Sequence, residues 1–203
     1  MSGDDLGRST EALIIVLSGP SGSGKDQVLA GLKKRQTPFH FVVTTTSRPP
    51  RPGEVEGVDY HFVSRAEFMR KIENDEFIEY AQVYDDLKGV PREQVRNALT
   101  CGKDVILRVD YQGARTIRSK IPEAVLIFLN AESSEELTRR LNLRRTETPE
   151  ALKTRLETLE KELAYIPDFD YLVINHTGKL EEAVDAVLCI IRAEHFRVKT
   201  GKS

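Results

Sequence analysis

Cysteine, net charge and long apolar runs are all scarce in this sequence. Its two cysteines, Cys101 and Cys189, lie far apart and have no metal-ligand or redox spacing. Secreted chains of this size more often carry several cysteines, so we expect a cytoplasmic protein. The formal net charge is only -2, which gives no indication of a nucleic-acid partner or an anionic membrane. No stretch approaches the length of a membrane span, and the polar N-terminus MSGDDLGRSTEA does not resemble a targeting segment.

The remaining composition is that of a globular α/β chain. Hydrophobic residues make up 39% of 203 residues, enough for one sizeable core. Apolar strand-like runs such as ALIIVLSG, DVILRVD and AVLIFLNA alternate with helical patterns, which predicts a parallel sheet flanked by helices. We expect a single domain over residues 1–203, with its core at 12–45 and 101–203. The block near 46–100 has shorter strands and helices and is interpreted as an inserted α+β lobe.

The stretch GPSGSGK directly follows the first predicted strand and precedes a helical pattern. In a phosphate-binding loop, glycines let backbone N–H groups turn toward phosphate oxygens, and the lysine reaches the terminal phosphates. A glycine-rich turn can also exist for geometric reasons alone, but the full spacing, the lysine and the strand-to-helix context coincide here. The predicted phosphate-binding residues of the loop are Gly19, Pro20, Ser21, Gly22, Ser23, Gly24 and Lys25.

Asp26 stands where phosphate loops usually have serine or threonine. That hydroxyl normally ligates Mg²⁺, and a carboxylate is also an oxygen ligand that Mg²⁺ accepts, directly or through water. Without a metal, the charge of Asp26 would repel the phosphates. The sequence therefore predicts an active site with Asp26 near Mg²⁺ and leaves a relic loop as the alternative.

A second anion site is predicted in the proline-rich segment SRPPRPGEVEGVDY. Arg48 and Arg51 carry two guanidinium groups on a stiff loop, and the hydroxyl of Tyr60 is a further donor. Taken alone, the segment could equally be a solvated basic loop. The phosphate loop upstream favours a phosphate receptor.

At this point the chain resembles guanylate kinase. The resemblance rests on SRPPRPGEVEGVDYHFVS, EFIEYAQVY, VDYQGARTI and RRLNLRRTET, in this order behind GPSGSGK, and it covers about Ala12 to Phe196. It implies a P-loop-type parallel sheet, ATP as co-substrate, Mg²⁺, and transfer of the terminal phosphate of ATP to GMP and dGMP in purine nucleotide metabolism.

The resemblance also implies roles for individual side chains of the acceptor site. Arg48, Arg51 and Tyr60 match residues that hold the phosphate of GMP. Glu79 matches the carboxylate that reads guanine, and Thr44 a hydroxyl that contacts it, although Glu79 alone would be taken for an ordinary strand carboxylate. Asp110 matches an aspartate near the metal and the acceptor site, and Lys88, at a position where a tyrosine is more usual, could still hold the phosphate of GMP.

The resemblance further implies a helical lid near 137–150, and basic residues in this region match arginines that act on the ATP phosphates. Arg140 and Arg144 lie four residues apart on one helical face, and Arg155 follows on the next helix. The resemblance gives all three a catalytic role beside Lys25 and Arg48, because positive charge stabilises phosphoryl transfer. Without the resemblance, Arg140 and Arg144 would be interpreted as a solvated helix face. Asn175 matches a position near adenine.

The sequence departs from the commonest family pattern at Asp26 and in the acceptor region. Lys88 and Val90 stand where a tyrosine and a small hydroxyl residue are more usual, and Arg108 replaces an aspartate two residues before Asp110. Side chains two apart on a strand share a face. Val90 cannot donate, so recognition of guanine depends more on Glu79 and Thr44. The departures resemble plastid-type and some bacterial members.

Two other functions remain open at this stage. One is a kinase on the same scaffold that acts on a ribose bisphosphate, and the other is a non-enzymatic module that binds phosphorylated peptides. Glu79 with Thr44 favours a base-bearing acceptor, and the intact glycine loop argues against the binding module. The expected partners are ATP and GMP, without nucleic acid or membrane, for a monomer or homodimer.

Overall fold

The computed structural model describes residues 11–35, 37–83, 85–142 and 159–198. Its first element is the buried strand β1 (Ile14–Ser18). The chain divides into two units. The mixed-sheet unit contains Ile14–Ser18 and Pro38–Leu126, and the phosphate-loop unit contains Gly19–Thr37 and the described residues before Ile14 and from Ile127 onward.

The mixed-sheet unit contains two sheets. In the first, β2 (His40–Phe41), β7 (Val105–Arg108) and β1 lie side by side, and both pairings are parallel. The second has the order β4-β3-β6-β5, built from β4 (His61–Phe62), β3 (Thr45–Thr46), β6 (Asp86–Pro91) and β5 (Phe77–Val83).

Three helices complete the mixed-sheet unit. They are α2 (Arg65–Glu73), α3 (Arg92–Thr100) and α4 (Tyr111–Lys120). The side chain of Ser64 caps α2 by accepting from the Glu67 N–H, and that of Asp110 caps α4, as expected of oxygen-bearing residues at a helix N-cap. The cap at Asp110 fixes where β7 gives way to helix.

The phosphate-loop unit contains a parallel pair of strands and helices around it. Strand β8 (Val125–Ala131) pairs from Ile127 onward with β9 (Tyr171–Asn175). The helices are α1 (Lys25–Lys34), α5 (Ser134–Asn142) and α6 (Leu180–Glu194), and residues 159–164 are also helical, followed by a 3₁₀ turn at Ile166–Asp168.

Helix α1 packs closely against α6. A Cβ at Gly31 would lie 2.5 Å from Cγ2 of Val184, so the helices approach closely because residue 31 has no side chain. At the end of α1, Arg35 makes ion pairs of 2.7 and 2.8 Å with Glu181 and Asp185. These exposed pairs contribute little energy, so the buried apolar face of α6 carries most of the stabilisation.

The prediction of parallel strands flanked by helices is confirmed, with one difference in the strands. The run FHFVVTTT, predicted as one strand, divides into β2 and β3, which belong to different sheets. Val43 lies between β2 and β3. Its N–H donates to the side-chain oxygen of Gln94, and its carbonyl oxygen accepts from the side-chain nitrogen of Gln94. At Val43 the backbone therefore bonds the side chain of Gln94 instead of a neighbouring strand. Among the described residues, none of the helices combines the length and apolarity needed to cross a membrane.

The mixed sheet rests on an aromatic cluster that leaves no room beside Gly89. Phe68 and Phe77 stack with ring centroids 4.6 Å apart, and Leu87 is buried with them. A Cβ on Gly89 would lie 2.8 Å from Phe77 and 3.0 Å from Phe68. Close packing of this kind tolerates added volume poorly.

We predict that Gly89→Ala lowers the free energy of unfolding by about 1–3 kcal/mol, because the added methyl group overpacks the cluster. Denaturant titration measures the change. Phe77→Leu removes the nearest ring atoms, so the double variant should lose less than the sum of the single variants. Strict additivity would contradict the proposed clash.

Candidate functional site

The loop from Gly19 to Lys25 approaches the strands so closely that two of its positions require glycine. Gly19 and Gly24 have positive φ angles of 137° and 96°, which side chains on L residues disfavour. A Cβ at Gly19 would lie 2.0 Å from the Leu129 carbonyl oxygen, and one at Gly24 would lie 2.3 Å from Asn175 Nδ2. The glycines predicted to cradle phosphate are therefore also needed for packing.

Lys25 is the first residue of α1 and lies against its own loop. Its ammonium donates to the carbonyl oxygens of Gly19, at 2.5 Å, and Pro20, at 2.9 Å. The first-turn N–H groups of a helix have no intrahelical acceptor, and the helix dipole adds partial positive charge at this end. The loop thus combines a cation with backbone donors, which suits an anionic ligand.

Ser23 and Asn175 brace the loop from inside. Ser23 is fully buried, and Asn175 is 3% exposed. The amide of Asn175 donates to the Ser23 carbonyl oxygen at 2.9 Å, which ties the end of β9 to the loop. Within the described residues, the buried Ser23 Oγ has no hydrogen-bond partner. The predicted contact of Asn175 with adenine stays a prediction.

Arg140, on α5, lies beside the loop from Gly19 to Lys25. Its Nε donates to Glu136 at 2.6 Å, and Nη2 donates to the Asn175 carbonyl oxygen at 3.0 Å and to Thr177 Oγ1 at 3.2 Å. Nη1 lies 3.5 Å from the Gly22 carbonyl oxygen. Hydrogen bonds from Arg139, Thr177 and Arg140 hold the pKa of Glu136 well below its ordinary value, so the carboxylate stays charged and orients Arg140.

The other predicted lid residues cannot be placed. Arg144 and Arg155 lie outside the described residues. Asp26 is described and is exposed in the first turn of α1, where a carboxylate interacts favourably with the helix dipole. Among the described residues, no group of three or more His, Cys, Asp or Glu side chains is arranged to hold a metal.

Arg48, in the mixed-sheet unit, is a nearly buried cation held by Glu54. Its side chain is 8% exposed, and its two terminal nitrogens donate to the two Glu54 oxygens at 2.6 and 2.7 Å. The backbone N–H of the exposed Arg51 donates to the same carboxylate at 2.8 Å. Hydrogen bonding from Arg48 is the main cause that lowers the pKa of Glu54 to about 2. The bidentate pair fixes the plane of the guanidinium.

Three cationic groups surround the ring of Tyr60. The guanidinium carbons of Arg48 and Arg108 each lie 4.9 Å from the ring centroid, and Lys88 Nζ lies 5.7 Å from it. We call these four residues the Tyr60 cluster. The structure therefore brings together three predicted GMP-site residues, Arg48, Tyr60 and Lys88, and adds Arg108. Such a concentration of positive charge around a phenol matches the chemistry of a phosphate site.

Glu79 is a carboxyl group almost without solvent. The residue is 4% exposed, and burial, followed by the negative charge of Asp110, raises its pKa to about 8, while Lys120 opposes the shift. Its cross-strand partner in the β5–β6 pair is Val90, which is 1% exposed and offers no donor. Desolvation disfavours the charged form, so a ligand that donates hydrogen bonds to Glu79 would regain that lost free energy.

Helix α4 limits the space around Glu79. Asp110 accepts from the Gly113 N–H at 2.9 Å, and a Cβ at Gly113 would lie 2.9 Å from the Glu79 carboxyl group. The absence of a side chain at position 113 therefore lets the carboxylate lie against the helix. The predicted GMP-site residues Glu79 and Asp110 are neighbours in this arrangement.

One face of the mixed sheet collects the remaining predicted side chains. Thr46 pairs with Lys88 and Glu79 pairs with Val90, and paired residues point to the same side of a sheet. Thr44, two residues before Thr46, falls on this face by alternation and is 6% exposed. Base-reading and phosphate-binding candidates thus follow each other along one sheet face.

The sequence predictions missed several groups that position these side chains. Glu54 orients Arg48, Gly113 admits Glu79, and Glu136 orients Arg140. For Glu54 a signal was present, since it lies in the same proline-rich loop as both arginines. Gly113 had no such signal, because its contact with Glu79 joins residues that lie far apart in sequence. Glu136 had none, because it shares its helix with several other charged residues.

We predict that Glu79→Gln reduces the loss of folding stability that occurs in the wild-type protein as pH rises toward 8. The pKa of Glu79 is raised from 4.5 to about 8 in the folded protein, so its stabilising contribution is complete below pH 4.5 and is lost as pH rises through 8. One proton corresponds to about 1.4 kcal/mol per pH unit across that window. Urea unfolding between pH 5 and 8.5 should show a smaller decline in the variant.

Glu73→Gln, on the exposed part of α2, is the matched control and should leave the slope unchanged. An identical slope in wild type and Glu79→Gln would contradict the raised pKa. The experiment needs no ligand, so it examines the burial of the carboxylate by itself.

Comparison with known proteins agrees with this geometry. The family described as "Guanylate kinase" matches residues 11–194. The chain is 48% identical over 198 residues to "Guanylate kinase 2, chloroplastic/mitochondrial" of Oryza sativa subsp. japonica, covering 97% of this chain and 70% of that one. It is 40% identical over 191 residues to the guanylate kinase of Clostridium perfringens strain SM101, covering 94% and 88%.

A solved structure gives the same result. The crystal structure of guanylate kinase from Anaplasma phagocytophilum superposes with a TM-score of 0.76 at 32% identity, over 93% of this chain and 89% of that chain. The family match covers both units and includes the glycine loop, the Tyr60 cluster and Glu79. This chain therefore belongs to the guanylate kinase family.

Proposed function

We propose that this protein transfers the terminal phosphate of ATP to GMP to give ADP and GDP. The observation that carries the proposal is the buried Glu79 carboxyl group on the same sheet face as a cationic cluster around Tyr60. A base with adjacent donors and a phosphate are the two parts of GMP that such a face can recognise. Membership of the family supports the same reaction.

Glu79 would distinguish guanine from adenine. Guanine presents an N–H and an adjacent NH₂ that donate to the two carboxylate oxygens, whereas adenine has an acceptor in place of the N–H. Because Glu79 is nearly buried, adenine would leave a desolvated acceptor unpaired, which is the strong form of discrimination. Thr44 lies on the same face and would supply a hydroxyl to the base.

Arg48, Arg51 and Tyr60 would hold the phosphate of GMP. Glu54 already fixes the Arg48 guanidinium in one plane, so little side-chain entropy remains to be lost on binding. The phosphate oxygen of GMP is itself the nucleophile, so the reaction needs no side chain to remove a proton. The side chains of the acceptor site would orient the phosphate of GMP and neutralise its charge.

The loop from Gly19 to Lys25 would hold ATP. Its backbone N–H groups and the Lys25 ammonium supply positive potential for the β- and γ-phosphates. Arg140 lies beside the loop through its contacts with Glu136 and Asn175, and it would neutralise charge that develops during transfer. Arg144 and Arg155 are proposed to act with it on the basis of the family resemblance.

Asp26 is the residue proposed to hold Mg²⁺. Mg²⁺ in nucleotide sites keeps several waters and takes one or two carboxylates together with phosphate oxygens, so the exposed carboxylate of Asp26 fits the ion. Bound Mg²⁺ would supply positive charge that offsets the charge of the ATP phosphates. Within this chain, Asp26 would anchor that charge at the beginning of α1.

Several finer points are proposals from the sequence and the family. We propose dGMP as a second acceptor, Asp110 as a contributor to the acceptor site, a GMP-binding lobe near 46–100 and a lid near 137–150. The cytoplasmic location and a monomer or homodimer also stay predictions. The rice relative carries the words chloroplastic/mitochondrial in its name, which describes that protein.

The function is tested by coupled ADP release with Mg-ATP and one acceptor at a time: GMP, dGMP, AMP or ribose 1,5-bisphosphate. We expect turnover with GMP and dGMP only. Lys25→Ala should lower kcat by about 100-fold or more, because it removes a charge that stabilises the transferring phosphoryl group. Lys34→Ala, an exposed cation at the end of the same helix, should retain wild-type turnover.

Silence with every acceptor, from protein shown to be folded, would overturn the proposed function. Preference for ribose 1,5-bisphosphate would assign the same scaffold to a different substrate. Undiminished turnover in Lys25→Ala would contradict the role of the loop even if GMP is the acceptor.

We predict that Gly113→Ala weakens GMP binding by displacing Glu79. The new methyl group would lie 2.9 Å from the carboxyl carbon, so the base-reading oxygens must move. Loss of a hydrogen bond to a charged group corresponds to about a tenfold or larger increase in the Kd for GMP. Calorimetric titration with GMP measures it, and ATP affinity serves as the internal control. An unchanged Kd for GMP would contradict the coupling between positions 79 and 113.

A further inference from the structure

Thr177 lies in the turn between β9 and α6 and is not among the predicted site residues. Its Oγ1 donates to Glu136 Oε1 at 2.7 Å and accepts from Arg140 Nη2 at 3.2 Å. Arg140 Nε donates to the same Glu136 oxygen at 2.6 Å. The three side chains therefore form a closed circuit of hydrogen bonds, which we call the Thr177 network.

The Thr177 network holds Arg140 from two different elements. Glu136 and Arg140 lie one turn apart on α5, whereas Thr177 comes from the turn after β9. Arg140 Nη2 also donates to the carbonyl oxygen of Asn175, the last residue of β9, at 3.0 Å. The Asn175 side chain in turn bonds the Ser23 carbonyl oxygen of the glycine loop. The end of one strand therefore sets the position of both Arg140 and the loop.

The network leaves one nitrogen of Arg140 directed at the loop. Nε and Nη2 donate to Glu136, Thr177 and Asn175. Among the described residues, Nη1 makes one contact, at 3.5 Å, to the Gly22 carbonyl oxygen, which is too long for a strong hydrogen bond. Nη1 is therefore the nitrogen of Arg140 that is available to a phosphate in the loop.

Thr177 is the neutral member of the groups that donate to Glu136. Arg139 donates through Nε at 2.6 Å and through Nη2 at 2.7 Å, and Arg140 adds a further charged donor. Glu136 and Arg140 are only 11% and 18% exposed. Without the Thr177 hydroxyl both ion pairs of Glu136 remain, but Arg140 loses a side-chain contact with the turn after β9. Loss of the hydroxyl would therefore change the orientation of Arg140 and leave its charge in place.

We infer that Thr177 is a positioning residue for phosphoryl transfer, which directs Nη1 of Arg140 at the phosphates held by the glycine loop. The inference rests on the proposed function, because it takes ATP as the ligand of the loop. Thr177 itself touches no reacting atom. An oriented donor contributes most when charge develops on the transferring group, so the effect belongs to kcat more than to the KM for ATP.

Steady-state kinetics with Mg-ATP and GMP test the inference. Thr177→Val replaces the hydroxyl by a methyl group of similar size, and we expect kcat to fall about tenfold or more with little change in either KM. Thr177→Ser keeps the hydroxyl and should recover most of kcat. The control is Thr100→Val at the end of α3, where the hydroxyl bonds only the Arg96 carbonyl oxygen at 2.9 Å; it should keep wild-type kcat.

A double-mutant cycle with Arg140→Met distinguishes positioning from a purely structural role. If Thr177 acts through Arg140, Thr177→Val should cause no further loss of kcat in the Arg140→Met background. A structural role would lower kcat by the same factor in both backgrounds and would lower the melting temperature. Thr177→Ala removes the same hydroxyl and takes the place of the valine variant if thermal melting shows that the latter is unfolded.

Each outcome decides between the proposals. If wild type phosphorylates GMP and the variants without the hydroxyl keep its kcat, the inference about Thr177 is overturned and the proposed function stands. Equal losses in Thr177→Ser and Thr177→Val, or an additive cycle with Arg140→Met, also overturn it, because the hydroxyl then does not act through Arg140. If folded wild type phosphorylates no acceptor, the proposed function fails, and the inference with it.

Discussion

The close approach of a glycine loop to two parallel strands is the constraint on which the phosphate-loop unit depends. The backbone at Gly19 lies so near Leu129 that no side chain fits, and Asn175 fills the space beside Gly24 while bonding the Ser23 carbonyl oxygen. The loop is therefore held by packing before any ligand arrives. A preorganised set of N–H donors stabilises charge at no reorganisation cost.

Charge in the mixed-sheet unit is arranged in two opposite ways on one sheet face. At the base end, burial and a nearby carboxylate favour a neutral Glu79 until a donor arrives. At the phosphate end, cations gather around Tyr60, with Glu54 matching Arg48. GMP would match both arrangements, since it presents donors at its base and negative charge at its phosphate. Complementarity to that ligand explains why a fold would retain them.

Positioning residues form a further layer in both units. Glu54 holds Arg48, and Glu136 holds Arg140 through bonds that also include Thr177. In each case a carboxylate accepts from a guanidinium and orients it. The two arginines belong to different units, and the same local chemistry orients each one.

The sequence by itself determined the class of fold and the position of the glycine loop, and it predicted the acceptor residues. Buried strands, helical periodicity and glycine spacing are local properties, so β1, the loop and α1 were predictable from short stretches. The family resemblance added Glu79, which no local pattern distinguishes from an ordinary strand carboxylate. The placement of Arg144 and Arg155 remains a prediction, because both lie outside the described residues.

Only the tertiary structure decided which residues meet across the chain. FHFVVTTT contributes to two sheets because the partners of a strand are set by nonlocal pairing, which a propensity pattern does not encode. Burial and the charge of Asp110 raise the pKa of Glu79, and the groups that lie around its side chain, Val90 and Gly113, come from separate elements. Arg108 was visible in the sequence as a departure, but its distance to Tyr60 gave that departure a chemical meaning, since electrostatic interactions depend on separation in space.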